Sequence, residues 1–168
     1  MKKIKKGETL GMNLQIRREK NQNKDNYKKY TTQMTASEIK ECRKSLKGII
    51  IAPYQDKKAK GIGYNLSPSE LVYSLRKGAP LQIFHNNEGS YVWLAPHDTV
   101  LTLSYEYLNV DDDVTGTFHA RVRNVAQGMG NISTTLDAGW KGMLLLSINN
   151  PTKKRIQLQL TRKLDGIS

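Results

Sequence analysis

Gly130-Asn131-Ile132-Ser133-Thr134-Thr135-Leu136-Asp137-Ala138-Gly139-Trp140-Lys141-Gly142 leads into the apolar run Met143-Leu144-Leu145-Leu146-Ser147-Ile148 and then into Asn149-Asn150-Pro151. Ile132, Thr134 and Leu136 alternate with polar neighbours, which is the period of a half-buried strand; Met143 to Ile148 has the length and bounding turn residues of a buried one. Together they predict a hairpin around a Gly-containing turn, with one acid, Asp137, at its tip. Taken alone, such a turn serves equally well as scaffold, its Asp bonding its own backbone. The rest of the chain has to decide.

With 168 residues the chain is long enough for one domain with a real core, or for a domain plus a tail. A single cysteine, Cys42, excludes an internal disulfide framework and suits a reducing compartment. No apolar run approaches the roughly 18 residues needed to span a bilayer, and the N-terminus has no apolar signal core, so a cytoplasmic protein without membrane contact is expected. The net charge of +12 is uneven: residues 1–32 hold ten Lys or Arg against three acids. This segment reads as a basic, mobile tail that holds nucleic acid or another polyanion by neutralising phosphates, or as a solvated extension. The globular domain is expected over 33–168.

From Met34 the chain becomes orderly. Thr35-Ala36-Ser37-Glu38 places a hydroxyl three residues before an acid, and Ile39, Cys42 and Leu46 follow at helical spacing, predicting one short helix to Lys47 that Gly48 stops. Ile49-Ile50-Ile51 is a strand ended by Pro53, and Gly61-Ile62-Gly63-Tyr64-Asn65-Leu66 reads as a turn entering another. Leu71–Leu75, Tyr91–Leu94 and Val100–Leu103 are strands separated by the turns Lys77-Gly78-Ala79-Pro80, Asn86-Asn87-Glu88-Gly89 and Pro96-His97-Asp98. Short strands with one convincing helix predict a mainly β fold, a barrel or a double sheet. His85, His97 and His119 are scattered surface or loop residues with no cysteine or paired carboxylate at ligand spacing, so no metal site is expected. Asp111-Asp112-Asp113 reads as an exposed turn.

The opening segment, Gly-Asn-x5-Asp-x-x-aromatic-x-Gly before an apolar strand ending in Asn, resembles the third motif of dUTPases and the equivalent segment of dCTP deaminases. These two families share one β-rich fold. The helix beginning at a Ser/Thr-rich cap, then Gly48, the Ile-rich strand and Pro53 resemble the opening of dCTP deaminases, which makes residues 1–32 an addition to the family pattern. Gly61 to Leu66 resembles the first motif, with Asn65 where the family has Asp. Phe118 to Met129 stands in the place of the second motif, Arg-Ser-Ser or Arg-Ser-Gly followed by Gly-Leu. Aligned without a gap, Arg121 is the motif Arg and Val122 and Arg123 replace the small polar pair; slid by two, Arg123 is the motif Arg and Asn124 the first polar residue. Either way the hydroxyls that would hold phosphate are absent, while a guanidinium that can bind phosphate bidentately remains.

The resemblance implies a distorted β-barrel or double sheet of the dUTPase and dCTP deaminase type, with one short N-terminal helix, assembled as a homotrimer. It implies that Asp137 orients the attacking water, that Asn131 reads a pyrimidine edge, and that Trp140 packs on the deoxyribose. Arg121, Arg123, Asn124 and Gln127, with Tyr64 and Asn65, are then the remaining nucleotide-binding positions, and Mg²⁺ arrives on the triphosphate. The catalytic Glu of dCTP deaminases falls at Ser147, so deamination lacks its proton-transfer group. The Gly-rich, Arg-bearing C-terminal arm of dUTPases has no counterpart, and the chain stops about where another strand is expected: either the sequence is shortened or a neighbouring subunit completes the edge. Two functions follow: a pyrimidine deoxynucleotide-binding protein that hydrolyses dUTP to dUMP and diphosphate, or a catalytically inactive member that sequesters or senses a nucleotide or serves as a protein-interaction module.

Overall fold

The structure, a computed structural model, describes residues 12–23, 26–131 and 135–160. The chain opens with β1 (Met12–Asn23), β2 (Asn26–Gln33), helix α1 (Ala36–Ser45) and β3 (Ile49–Ala52). It continues through β4 (Ala59–Lys60), β5 (Gly63–Asn65), β6 (Pro68–Ser74), β7 (Ala79–Pro80), β8 (Phe84–Asn86), β9 (Gly89–Leu94), β10 (Asp98–Ser104) and β11 (Tyr107–Val110). The last part comprises β12 (Val114–Ala120), the short helix α2 (Val122–Ala126), β13 (Gly130–Asn131), β14 (Thr135–Leu136), β15 (Lys141–Gly142), β16 (Leu145–Asn150) and β17 (Ile156–Gln159).

The expected capping box forms. Thr35 Oγ1 accepts from Glu38 N at 3.3 Å and Thr35 N donates to Glu38 Oε2 at 2.8 Å, so two of the orphan donors at this helix start are satisfied reciprocally. Ile39 and Cys42 then face inward, one turn apart. The helix ends on Leu46 in the left-handed region at φ 54°, one residue earlier than the sequence suggests.

All strand pairs are antiparallel and fall into four sheets: a six-stranded one ordered β14-β12-β1-β5-β4 with β2 added to β1, a five-stranded β13-β16-β10-β6-β7, and the triplets β15-β11-β3 and β17-β9-β8. Among the described residues no barrel closes, and the expectation of a mainly β, double-sheet fold is met by packed open sheets. Their inner faces meet in one core that takes Phe118 and Leu136 from the first sheet, Val100 and Ile148 from the second, Ile49 and Leu108 from the third, and Val92 and Leu158 from the fourth.

Two expectations are corrected. Residues 1–32 are not a tail throughout: from Met12 the chain is the middle strand of the largest sheet, with Leu14 and Ile16 fully buried. β1 pairs with β12 from Met12↔Ala120 to Arg18↔Val114 and, on its other edge, with β5 from Asn13↔Asn65 to Gln15↔Gly63. Both neighbours present glycine to it. A Cβ on Gly63 would lie 2.5 Å from Leu14 O, and one on Gly116 would lie 2.8 Å from Leu14 Cδ1, so the strand fits a slot only glycine leaves open. The part of the tail expectation that concerns residues 1–11 lies outside the described residues.

The second correction concerns the 130–148 hairpin. β14 pairs with β12 and β15 with β11, in two different sheets, while Gly130-Asn131 of β13 pairs with Asn149-Ile148 of β16. The segment is a bridge that crosses between sheets, and its Ile132 and Thr134 lie outside the described residues.

Because Leu14 is enclosed, Leu14→Ala is expected to cost about 2–5 kcal/mol of unfolding free energy in chemical denaturation. A chain starting at Met34 is expected to lose its cooperative transition; one that melts like the full-length protein contradicts the central placement of β1.

Candidate functional site

The Asp137 turn is held from outside. Trp140 N donates to Asp137 O at 3.3 Å, Val110 N donates to Trp140 O at 2.9 Å, and Gly139 N reaches Asp111 O at 3.4 Å. Gly139 lies at φ 73°, and a Cβ there would come within 3.0 Å of Asp112 Oδ1, so the turn needs glycine on both counts. Asp111 in turn exchanges bonds with Gly48: its carboxylate accepts from Gly48 N and its N–H donates to Gly48 O at 2.8 Å. The acidic run expected to be a plain exposed turn is thus the splice between the end of α1 and the Asp137 turn.

What this splice presents to solvent is an exposed carboxylate, touched by Thr135 Oγ1 at 3.4 Å, and beside it the indole of Trp140, 39% exposed. Trp140 Nε1 donates to Gly142 O at 3.3 Å, which anchors the indole to the start of β15. A positioned carboxylate can accept a proton from water, and an exposed indole can stack on an apolar ring.

The other positions assigned to nucleotide lie elsewhere. Arg121 follows β12 and its carbonyl accepts from Asn124 N and Val125 N, starting α2. Asn124 is buried, and Gln127 Oε1 is buried without a hydrogen-bond partner among the described residues. Gly128, at φ 82°, turns the chain against Thr152. Arg123 lies within α2 and Asn131 pairs with Ile148 through the backbone; their side chains lie outside the description. Asn65 sits on β5 opposite Asn13, whose Nδ2 donates to Asn65 Oδ1 at 3.1 Å, and Asn13 is also opposite His119. Tyr64 is a correction. Its side chain is fully buried, packs tilted by 35° against Tyr54 at 5.4 Å between ring centroids and accepts from Gln55 N at 2.9 Å, and burial holds its phenol well above the ordinary value. It is part of the core.

The residues therefore gather in two groups at opposite ends of β12. Leu136, next to Asp137, pairs with Gly116, whereas Arg121 comes just after Ala120, five residues further on, or about 17 Å along the strand. Asn65, across β1 from His119, belongs to the Arg121 end. The backbone positions of the two groups thus lie about 17 Å apart along β12.

Ser147 is half-buried on the outer side of β16, opposite Leu101 of β10. The other outward positions of these two strands are Leu145, Asn149, Thr99 and Leu103, none of them an acid. The Asn that closes this strand is structural. Asn150 is fully buried, donates to Ala95 O at 2.9 Å and Lys154 O at 2.8 Å, and accepts from Thr152, tying β16 to the turn beyond it.

Sequence reasoning also missed an ion pair beneath the first motif. Glu106, fully buried, accepts from Lys58 Nζ and from Ser67 N at 2.9 Å, and Lys58 also donates to Ser67 Oγ at 2.6 Å. Nothing in the spacing of Lys58, Ser67 and Glu106 announces the contact. Three loops distant in sequence are pinned by it.

These features describe a mainly β protein of antiparallel sheets, consistent with the dUTPase type of fold, with an exposed Asp–Trp turn. No family model matches the chain. It is 26% identical over 113 residues to the dCTP deaminase of Pyrococcus abyssi (strain GE5 / Orsay), covering 67% of this chain and 70% of that protein. It is 27% identical to the dCTP deaminase of Pyrococcus furiosus over the same length, covering 69% of it, and 26% identical to that of Thermococcus kodakarensis, covering 70%. The chain is a distant relative of these enzymes within the dUTPase/dCTP deaminase superfamily.

Removing one partner of the buried pair strands the other charge. Glu106→Leu is expected to cost about 3–5 kcal/mol, and the double variant Lys58→Met with Glu106→Leu to recover most of it, in denaturant titrations. A neutral Glu106→Leu contradicts this role for the pair.

Proposed function

We propose that the protein binds a pyrimidine deoxynucleoside triphosphate between protomers of a homotrimer and hydrolyses dUTP to dUMP and diphosphate. The observation that carries this reading is the Asp137–Trp140 turn, held from Val110 and Asp111 with its carboxylate and indole both exposed. Trp140 stacks on the deoxyribose, Asn131 reads the base edge, and Asp137 orients a water and takes its proton as the water oxygen bonds to phosphorus and diphosphate leaves. Arg121 or Arg123, with Asn124, Gln127 and Asn65, receives the phosphates from a second protomer, since their backbone lies about 17 Å along β12 from the Asp137 turn.

The homotrimer has its own support. The outer face of β6, β10 and β16 exposes Leu71, Tyr73, Leu75 and Leu145 (60, 39, 52 and 58%), aligned through Tyr73↔Leu101 and Leu103↔Leu145. A contiguous apolar sheet face of this kind calls for a covering partner. Among the described residues no group of three or more His, Cys, Asp or Glu is placed to hold a metal. Mg²⁺ in this reading comes on the triphosphate, and no step is assigned to it. No helix among the described residues is long and apolar enough to cross a membrane, and the proposed substrate belongs to the cytoplasmic nucleotide pool.

A second reading is favoured by one observation: Val122, 85% exposed, stands where a phosphate-binding hydroxyl is expected. In that reading the protein holds a nucleotide without turning it over, or uses the turn for protein contact.

Purified protein given dUTP is expected to release diphosphate, with kcat reduced by about 10²-fold or more in Asp137→Asn, which keeps shape and removes the base. With dCTP no ammonia above background is expected, since Ser147 cannot transfer the proton. Binding without turnover selects the second reading; an Asp137→Asn variant as fast as wild type removes Asp137 from the chemistry.

A further inference from the structure

We propose that the outer face of the β17-β9-β8 sheet is a stacking platform for single-stranded nucleic acid. β9 alternates strictly: Val92 and Leu94 are fully buried, while Tyr91 and Trp93 stand on the other face and are half-buried. Phe84 of β8 is paired with Tyr91, and its ring stacks on the Tyr91 ring at 5.6 Å between centroids with 23° between the planes. Tyr91 meets Trp93 edge-on at 6.1 Å, and the Arg155 guanidinium carbon lies 4.9 Å from the centre of the Trp93 ring. Phe84, Tyr91, Trp93 and Arg155 thus form one row from β8 to the start of β17, with Gln157 opposite Trp93 and Gln159 opposite Tyr91. None of the three rings belongs to the core or to the half-buried apolar side chains packed against it.

One end of this row is positively charged. Asn150 Nδ2 donates to Leu94 O at 3.2 Å, Ala95 O at 2.9 Å and Lys154 O at 2.8 Å, which holds the turn carrying Lys153, Lys154 and Arg155 against the end of β9. Arg76 Nη1 donates to Pro96 O at 2.8 Å and brings a fourth cation to the same place. All four cations are exposed, whereas the acid beside them, Asp98, is buried and accepts from Ser74 Oγ and Arg76 N. Glu88 lies at the opposite end of β9, in the turn from β8. Outward rings next to clustered cations fit a polyanion with bare bases: every base has a π-face that stacks on an aromatic ring or a guanidinium, while Lys and Arg follow the phosphates. In a duplex those faces are already stacked on one another. The row lies on a different sheet from the apolar face of β6, β10 and β16 and from the strands flanking Asp137, so it stands apart from the nucleotide reading.

The test uses the full chain and a fluorescein-labelled thymidine 12-mer, followed by anisotropy over a salt series. An abasic 12-mer of the same charge is expected to bind at least about 10-fold more weakly, because it offers phosphates and nothing to stack. The variant Tyr91→Thr, Trp93→Thr, which keeps residues suited to a strand, is expected to lose about 10-fold or more in affinity with an unchanged log–log salt slope. Lys154→Gln, Arg155→Gln is expected to lower that slope by about one to one and a half units, and Lys47→Gln, Lys57→Gln, the same charge removed from exposed sites elsewhere, by less than about half a unit. A uridine 12-mer RNA is expected to bind within about 5-fold of the DNA, since stacking does not read the 2′-hydroxyl. If the threonine variant has no melting transition, the abasic comparison and the Lys154, Arg155 variant decide. Equal binding of abasic and thymidine strands, equal slopes in the two charge variants, displacement of the strand by dUTP, a larger preference between RNA and DNA, or no binding by the wild type overturns the proposal.

Discussion

The structure hangs on a slot between two glycines. β1 lies between β12 and β5 because Gly116 and Gly63 leave no Cβ where Leu14 and its carbonyl pass, and that close approach carries Leu14 and Ile16 into the core. The bond at Asn13–Asn65 and the seat of Tyr64 depend on β5 staying against β1. The same insertion sets β12 in place, and β12 carries a candidate group at each end: the Asp137 turn is tied in through Leu136↔Gly116, and Arg121 starts α2 beyond Ala120. A strand that composition assigns to a tail is thus the member that spaces the two halves of the site.

That spacing is the strongest physical argument about function. A strand rises about 3.4 Å per residue and does not shorten, so groups at the two ends of β12 are kept apart by covalent geometry. The two groups serve different purposes, meet across a subunit boundary, or are spanned by one extended ligand. The exposed apolar face of β6, β10 and β16 is available to a second copy of the chain, which is compatible with the boundary. The weakest part of the nucleotide reading is the start of α2, where exposed Val122 offers phosphate nothing to bond.

How far the sequence could be read depended on whether the determining interaction was local. The capping box at Thr35 and Glu38 was legible because both partners lie within one turn of helix, and the strands of the meander because alternation is local too. Pairing partners are set by contacts between distant segments, so the Asp137 segment read as a hairpin although β14 and β15 join separate sheets. In β1 the signal was present: Met12, Leu14 and Ile16 alternate with polar residues, but the excess of Lys and Arg around them outweighed three apolar positions. Asp137 and Trp140 were found by their resemblance to a motif, and the structure gives them the exposure a site needs; Tyr64, found the same way, is enclosed in the core. The Lys58–Glu106–Ser67 cluster had no local signature at all.

The central claim is that the Asp137–Trp140 turn receives a deoxynucleotide, and the indole itself reports on it. The measurement is a fluorescence titration with dUTP of a Trp93→Phe variant, in which Trp140 is the remaining emitter. A saturable change in emission at micromolar to low millimolar dUTP, lost in the monomer, is the predicted result. Emission that stays flat to millimolar dUTP in an intact oligomer would contradict the claim and leave the turn as scaffold.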